Sequence, residues 1–114
     1  MSPERGMAGP TITETEFQAQ VVELATMLGW RHLHVRRSIG KGSRWVTATN
    51  VVGWPDLLAW RPGQVLAAEL KSATGKATDE QTAVLASLNA AGIPSYLWRP
   101  SDWDEIARVL AERG

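Results

Sequence analysis

Residues 56–71 constrain the architecture of this chain more than any other stretch. Two apolar runs, Asp56–Trp60 and Val65–Lys71, flank Arg61-Pro62-Gly63-Gln64. Proline presets φ and glycine tolerates positive φ, so these four residues spell a turn and the two runs a β-hairpin. With the turn centred between Pro62 and Gly63, Trp60 meets Val65 and Asp56 meets Glu69. Alternation along a strand then sorts the side chains. Leu57, Ala59, Leu66, Ala68 and Leu70 make one wholly apolar face. Asp56, Leu58, Trp60, Val65, Ala67, Glu69 and Lys71 share the other.

That register sets two carboxylates against each other with a lysine one step along. Directly opposed residues have Cβ atoms ~5 Å apart, where two like charges repel by about 3 kcal/mol at an effective dielectric of ~20. A cation between them removes the repulsion, and oxygen ligands select a hard ion, Mg²⁺ or Mn²⁺. Lys71 can then steer a water nucleophile or stabilise charge on a phosphoryl oxygen, a set suited to phosphodiester hydrolysis. The same residues also read as a strand-start acid in water beside an ordinary Glu69–Lys71 surface pair.

The rest of the chain supplies a frame. Residues 1–10 carry Pro and Gly without periodicity and read as a disordered lead-in, with Met7 a second candidate start; residues 11–114 read as one domain. Thr13 and Glu16 have capping-box spacing, with Ile12 placed to staple onto Phe17. Phe17, Val21, Leu24 and Leu28, joined by Val22 and Ala25, recur at helical spacing up to Gly29. Trp30–Val35 reads as a strand, with Trp30, His32 and His34 on one face and Arg31, Leu33 and Val35 on the other. Residues 36–53 form a long connection with a short strand over Trp45–Ala48. After the hairpin and a loop over Ser72–Ala77, Thr78 and Gln81 form a second capping box. It opens a helix that runs to Ala91 and closes at Gly92. Pro94–Trp98 is a strand, and Ser101 is expected to cap a last helix bearing Trp103, Ile106, Val109 and Leu110. The order α-β-β-β-α-β-α predicts an α/β domain with a mixed sheet flanked by helices.

Composition narrows the chemistry. Without cysteine there is no disulfide and no thiolate zinc site. His32 and His34 are close neighbours and are given no role. No apolar run approaches the ~20 residues of a membrane span, and MSPERGMAGP lacks the apolar stretch of a secretory signal. A soluble, cytoplasmic protein is the expectation. Twelve Lys and Arg balance twelve Asp and Glu, yet no acid lies between Glu23 and Asp56, where Arg31, Arg36, Arg37, Lys41 and Arg44 fall. That local excess reads as a phosphate-binding surface or as a solvated loop. Gly40-Lys41-Gly42-Ser43 and Gly75-Lys76-Ala77-Thr78 lack the earlier glycine of a P-loop, which argues against a nucleotide cofactor. Of the six tryptophans, Trp30, Trp60 and Trp98 are assigned to the core or the sheet faces. Trp45 and Trp54 flank the basic loop, where packing and stacking on unpaired bases are both open.

Pro55-Asp56 followed by Glu69-Leu70-Lys71 resembles the PD-(D/E)XK nuclease pattern. Gly53-Trp54-Pro55-Asp56, Glu69-Leu70-Lys71 and the following helix with Gln81 look like its VRR-NUC branch (virus-type replication-repair nucleases), which is similar to Holliday junction resolvases. The resemblance covers roughly residues 13–110. It implies a restriction-endonuclease-like fold. Asp56 and Glu69 would be metal ligands, with the Leu70 carbonyl as a third, and Lys71 would position or activate the attacking water. Gln81 would touch the metal-bound water or the scissile phosphate. The family's first-helix acid matches Glu16, which the capping box explains equally well, with Glu14 as the alternative. Arg36, Arg37, Lys41 and Arg44 would contact DNA phosphates.

The activity so implied is a Mg²⁺-dependent endodeoxyribonuclease (Mn²⁺ substituting) that acts on branched DNA in recombination and repair, above all on Holliday junctions. Paired cuts at a junction would call for a homodimer. A nickase, a flap or single-strand nuclease of the same fold, and a non-catalytic DNA-binding module are the alternatives. Compactness and family likeness point to a bacterial or phage-infected cell.

Overall fold

The computed structural model describes residues 12–35, 38–39, 45–46 and 51–113. The expected disordered lead-in and the basic residues Arg36, Arg37, Lys41 and Arg44 lie outside the described residues.

The elements run α1 (Glu14–Met27), β1 (Arg31–His34), β2 (Ser38–Ile39), β3 (Trp45–Val46), β4 (Leu57–Arg61), β5 (Gln64–Leu70), α2 (Asp79–Ala90), β6 (Ser95–Trp98) and α3 (Trp103–Ala111). Two strands, β2 and β3, pair with each other as a short antiparallel ribbon. The main sheet is mixed, in the order β1-β4-β5-β6. β1, β4 and β5 are antiparallel neighbours, and β6 joins β5 in parallel through the α2 crossover.

The hairpin has the expected register, with Trp60 opposite Val65 and Leu57 opposite Ala68. The strands close one residue nearer the turn than alternation alone suggests, because Arg61 and Gln64 still pair. The turn itself is Pro62-Gly63, with Gly63 at φ +79°. The apolar face is buried as its composition demands. Leu57, Ala59, Leu66, Ala68 and Leu70 are at most 3% exposed. They pack with Phe17, Val21 and Ala25 of α1, with Ile106 and Leu110 of α3, and with Trp30 and Trp98. Helix α2 serves the opposite face and packs against β6 and β5, with Gln81 and Leu85 buried.

Both capping boxes are formed. Thr13 accepts from the Glu16 N–H while Glu16 accepts from the Thr13 N–H, and Thr78 and Gln81 do the same at α2. Ser101 does not cap α3. It lies inside a 3₁₀ turn, Pro100–Asp102, and Asp102 reaches back to accept from the Arg99 N–H at 2.8 Å. That bond closes the 3₁₀ turn, and α3 itself starts without a side-chain cap.

Arg61 has a role that its place beside a turn does not announce. It is 4% exposed, and its guanidinium lies 4.4 Å from the centroid of the Trp30 ring. It donates to the Leu28 carbonyl at the end of α1 (2.7 Å), to the Glu112 carbonyl at the end of α3, and to Gln64 Oε1 (2.6 Å). One cation thereby satisfies the negative ends of two helices. The Trp30 indole N–H adds a bond to the Leu110 carbonyl at 2.9 Å. Burial, and then the nearby Arg113, lower the Arg61 pKa from its ordinary value. Among the described residues no helix is long and apolar enough to cross a membrane.

Candidate functional site

The polar residues expected to carry chemistry gather at one end of the sheet, away from the hairpin turn. Asp56 and Glu69 are 4% and 1% exposed. Such burial of two carboxylates is costly unless charge and hydrogen bonds compensate it. Two arrangements do so here, and a third holds the elements that deliver them.

The first involves Asp56. Face-to-face pairing of Asp56 with Glu69 is not what forms. The ladder ends at Leu57↔Ala68, and Asp56 sits in a bend just before β4. Its backbone carbonyl accepts from the Val35 N–H at 2.8 Å, and its Oδ2 accepts from the Leu70 N–H at 2.9 Å. The carboxylate thus replaces the strand partner that β5 would otherwise lack at that rung. A strand residue's N–H and C=O point to the same side. The Leu70 carbonyl is therefore directed toward the side where Asp56 lies.

The second is at Glu69. Its Oε2 accepts from Gln81 Nε2 at 2.9 Å and lies 3.3 Å from Lys71 Nζ, whose side chain is 13% exposed. Gln81 is therefore committed in both directions. Its Oε1 accepts the Thr78 N–H at 2.9 Å, which leaves only the NH₂ end to meet Glu69. The helix cap thus fixes the amide orientation that a lone Gln would leave open. In this arrangement Gln81 orients the Glu69 carboxylate.

The third is backbone packing. Gly53 has φ +91° and lies against the start of α2 so closely that an added Cβ would stand 2.6 Å from the Glu80 carbonyl carbon and oxygen. The backbone of the turn that delivers Asp56 thus meets the backbone of the helix that delivers Gln81. After Lys71, Arg99 donates to the Ser72 carbonyl (2.8 Å) and the Gly75 carbonyl (2.6 Å), and Ser72 Oγ accepts from the Gly75 N–H.

The first-helix acids separate. Glu16 is exposed and its carboxylate is engaged in its own capping box. Glu14 is half-buried, and its Oε1 and the Lys71 Cδ each lie 3.7 Å from the point a Gly75 Cβ would occupy. The acid that α1 brings toward Lys71 is Glu14. The Gln81–Glu69 bond, the Arg99 clamp and the Gly53 contact escape sequence reasoning. Only the capping box around Gln81 hints at any of them.

Among the described residues no three His, Asp or Glu side chains group as a metal cluster. A cation at this site would draw on two carboxylates, a backbone carbonyl and outside oxygens, which is how Mg²⁺ is commonly held. Comparisons of the chain with protein families, with curated proteins and with solved structures found no match.

Proposed function

We propose that this protein is a metal-dependent, structure-specific DNA endonuclease of restriction-endonuclease-like fold, with Holliday junctions and other branched DNA as its leading substrate. The observation that carries the reading is the buried pair Asp56 and Glu69, with Lys71 at 3.3 Å from Glu69 and Gln81 bonded to it. A structural role alone gives little reason to bury two acids at one end of a sheet, since apolar residues of similar volume stabilise at least as well.

The donor set fits a hard cation. Asp56 and Glu69 would hold Mg²⁺ or Mn²⁺ with the Leu70 carbonyl, and the ion would supply Lewis-acid polarisation of the phosphate and a nucleophile at neutral pH. The chain's own residues do the rest. Gln81 keeps Glu69 in one rotamer, so the ligand geometry is set before substrate arrives. Lys71 transfers its attraction from Glu69 to the phosphate oxygens as negative charge builds there. Water adds to phosphorus, and the ester oxygen leaves with a proton. The first-helix acid of this scheme is Glu14. Arg36, Arg37, Lys41 and Arg44 are proposed as phosphate contacts, and a homodimer as the assembly that pairs two cuts.

The test is cleavage of labelled four-way junction, flap, nicked, single-stranded and linear duplex DNA with Mg²⁺, Mn²⁺ or EDTA, beside Glu69→Ala. Paired, metal-dependent cuts on the junction that vanish in the variant are expected. Cutting of another form would remove the junction assignment. No cutting of any form would overturn the nuclease.

A further inference from the structure

Among the described residues, the face of the sheet that carries Asp56 and Glu69 is only half covered. Helix α2 packs over β5 and β6. Over β1 and β4 the same face presents Leu33 at 49% exposure and Trp60 at 38%, with Val65 of β5 at 38% beside them. The register aligns these residues in rungs. Arg31, Trp60 and Val65 form the outermost, and Leu33, Leu58 and Ala67 the next inward. Asp56 and Glu69 lie beyond them at the inner end. Trp60 is four residues along the chain from Asp56, which precedes β4, a span of at most about 13 Å.

We propose that this open half-sheet is a track for a single strand of nucleic acid, with Trp60 as a platform for an unpaired base and Arg31 as a phosphate contact. The inference rests on the nuclease reading for the direction of the strand, from Trp60 to the acid pair. Three observations select this occupant. The first is that the exposed aromatic shares its sheet face with the candidate reacting centre. A flat π-face accepts any base, which suits a site that reads no sequence. The second is charge. Arg31 is the one ionisable side chain on the two outer rungs, it is exposed, and it is the direct cross-strand neighbour of Trp60. A cation beside an aromatic matches a phosphate beside a base. The third is size. Three part-exposed side chains fall far short of the ~800 Å² per partner that a stable protein interface buries. A second copy of the chain is thus a poor fit.

The test needs no cleavage. Binding of a fluorescein-labelled oligo(dT) and of a duplex of equal length is measured by anisotropy in EDTA, for the wild type, Trp60→Leu, Trp60→Phe and Arg31→Gln. Trp60→Leu is expected to weaken oligo(dT) binding by about 5- to 150-fold and duplex binding much less, and Trp60→Phe to restore most of the loss. Arg31→Gln is expected to reduce the slope of log K against log salt by about 0.7, the value for one phosphate contact on a single strand. That variant keeps the test alive should Trp60→Leu fail to fold. Wild-type affinity for oligo(dT) in both Trp60→Leu and Arg31→Gln would overturn the track. So would a wild type that binds no oligo(dT). A protein that cuts DNA while these variants bind normally loses only the track. One that binds through Trp60 but never cuts loses only the nuclease.

Discussion

Replacing Gly53 by alanine tests the contact that joins the two halves of the site. The new Cβ would stand 2.6 Å from the Glu80 carbonyl carbon and oxygen and 2.8 Å from the Gln81 nitrogen. All three are backbone atoms at the start of a helix, so no side chain can swing away. Relieving the overlap means displacing that helix start or the turn, at a cost of about 1–3 kcal/mol by analogy with overpacked cores. The φ of +91° adds about 1–2 kcal/mol for a residue with a Cβ. Together they come to about 2–5 kcal/mol, which lowers Tm by roughly 10 °C or more in a domain of this size. Gly29 and Gly92 provide the comparison, with φ of +90° and +95° and nothing within 4 Å of an added Cβ. Alanine at either should cost only the backbone portion. Urea unfolding of the three variants separates the two contributions. If Gly53→Ala is no less stable than Gly92→Ala, the close approach between turn and helix is not there, and it does not hold Asp56 and Gln81 together.

Asp56→Asn should abolish cleavage yet leave the metal-free Tm unchanged or raised, because the amide oxygen still accepts the Leu70 N–H and one buried charge is gone. Asp56→Ala orphans that N–H and should cost about 1–3 kcal/mol in chemical denaturation; equal stability of the two variants would refute the bond. Gln81→Glu keeps the cap acceptor for Thr78 but sets a second carboxylate against Glu69. The folded pair then holds a proton more tightly than the unfolded chain, so the stability deficit should be largest near neutral pH and shrink as pH falls, as read from Tm across pH 4–8; a deficit independent of pH would refute it. Arg61→Met should lose about 3 kcal/mol by leaving the Leu28 and Glu112 carbonyls without their charged donor. Arg61→Lys should recover little of it in the same urea titration, because an ammonium cannot reproduce the planar fork.

What could be read in advance was local or periodic. Alternation and one Pro-Gly turn fix the hairpin register, and a Thr-x-x-Glu or Thr-x-x-Gln spacing fixes two helix starts. The approach of Lys71 to Glu69 follows from their alternation along β5. What escaped depends on contacts between distant segments. Arg61 reaches 33 residues back and 51 forward for its acceptors, and no spacing rule anticipates either. Ser101 is drawn into a 3₁₀ turn that Asp102 closes by accepting from the Arg99 N–H, so α3 starts without a side-chain cap. Asp56 leaves its rung because an unpaired strand N–H is a better partner for a carboxylate than another carboxylate is.

The Arg61 clamp also bears on the order in which the molecule is made. Its guanidinium is buried against Trp30, and one of its acceptors, Glu112, is synthesised 51 residues later. Until that stretch leaves the ribosome, a nascent hairpin offers the arginine the end of α1, the Trp30 ring and Gln64 but not its acceptor beyond α3. Closure of the apolar face is therefore expected to wait for α3. Translation can lay down the sheet early, but the last helix locks it.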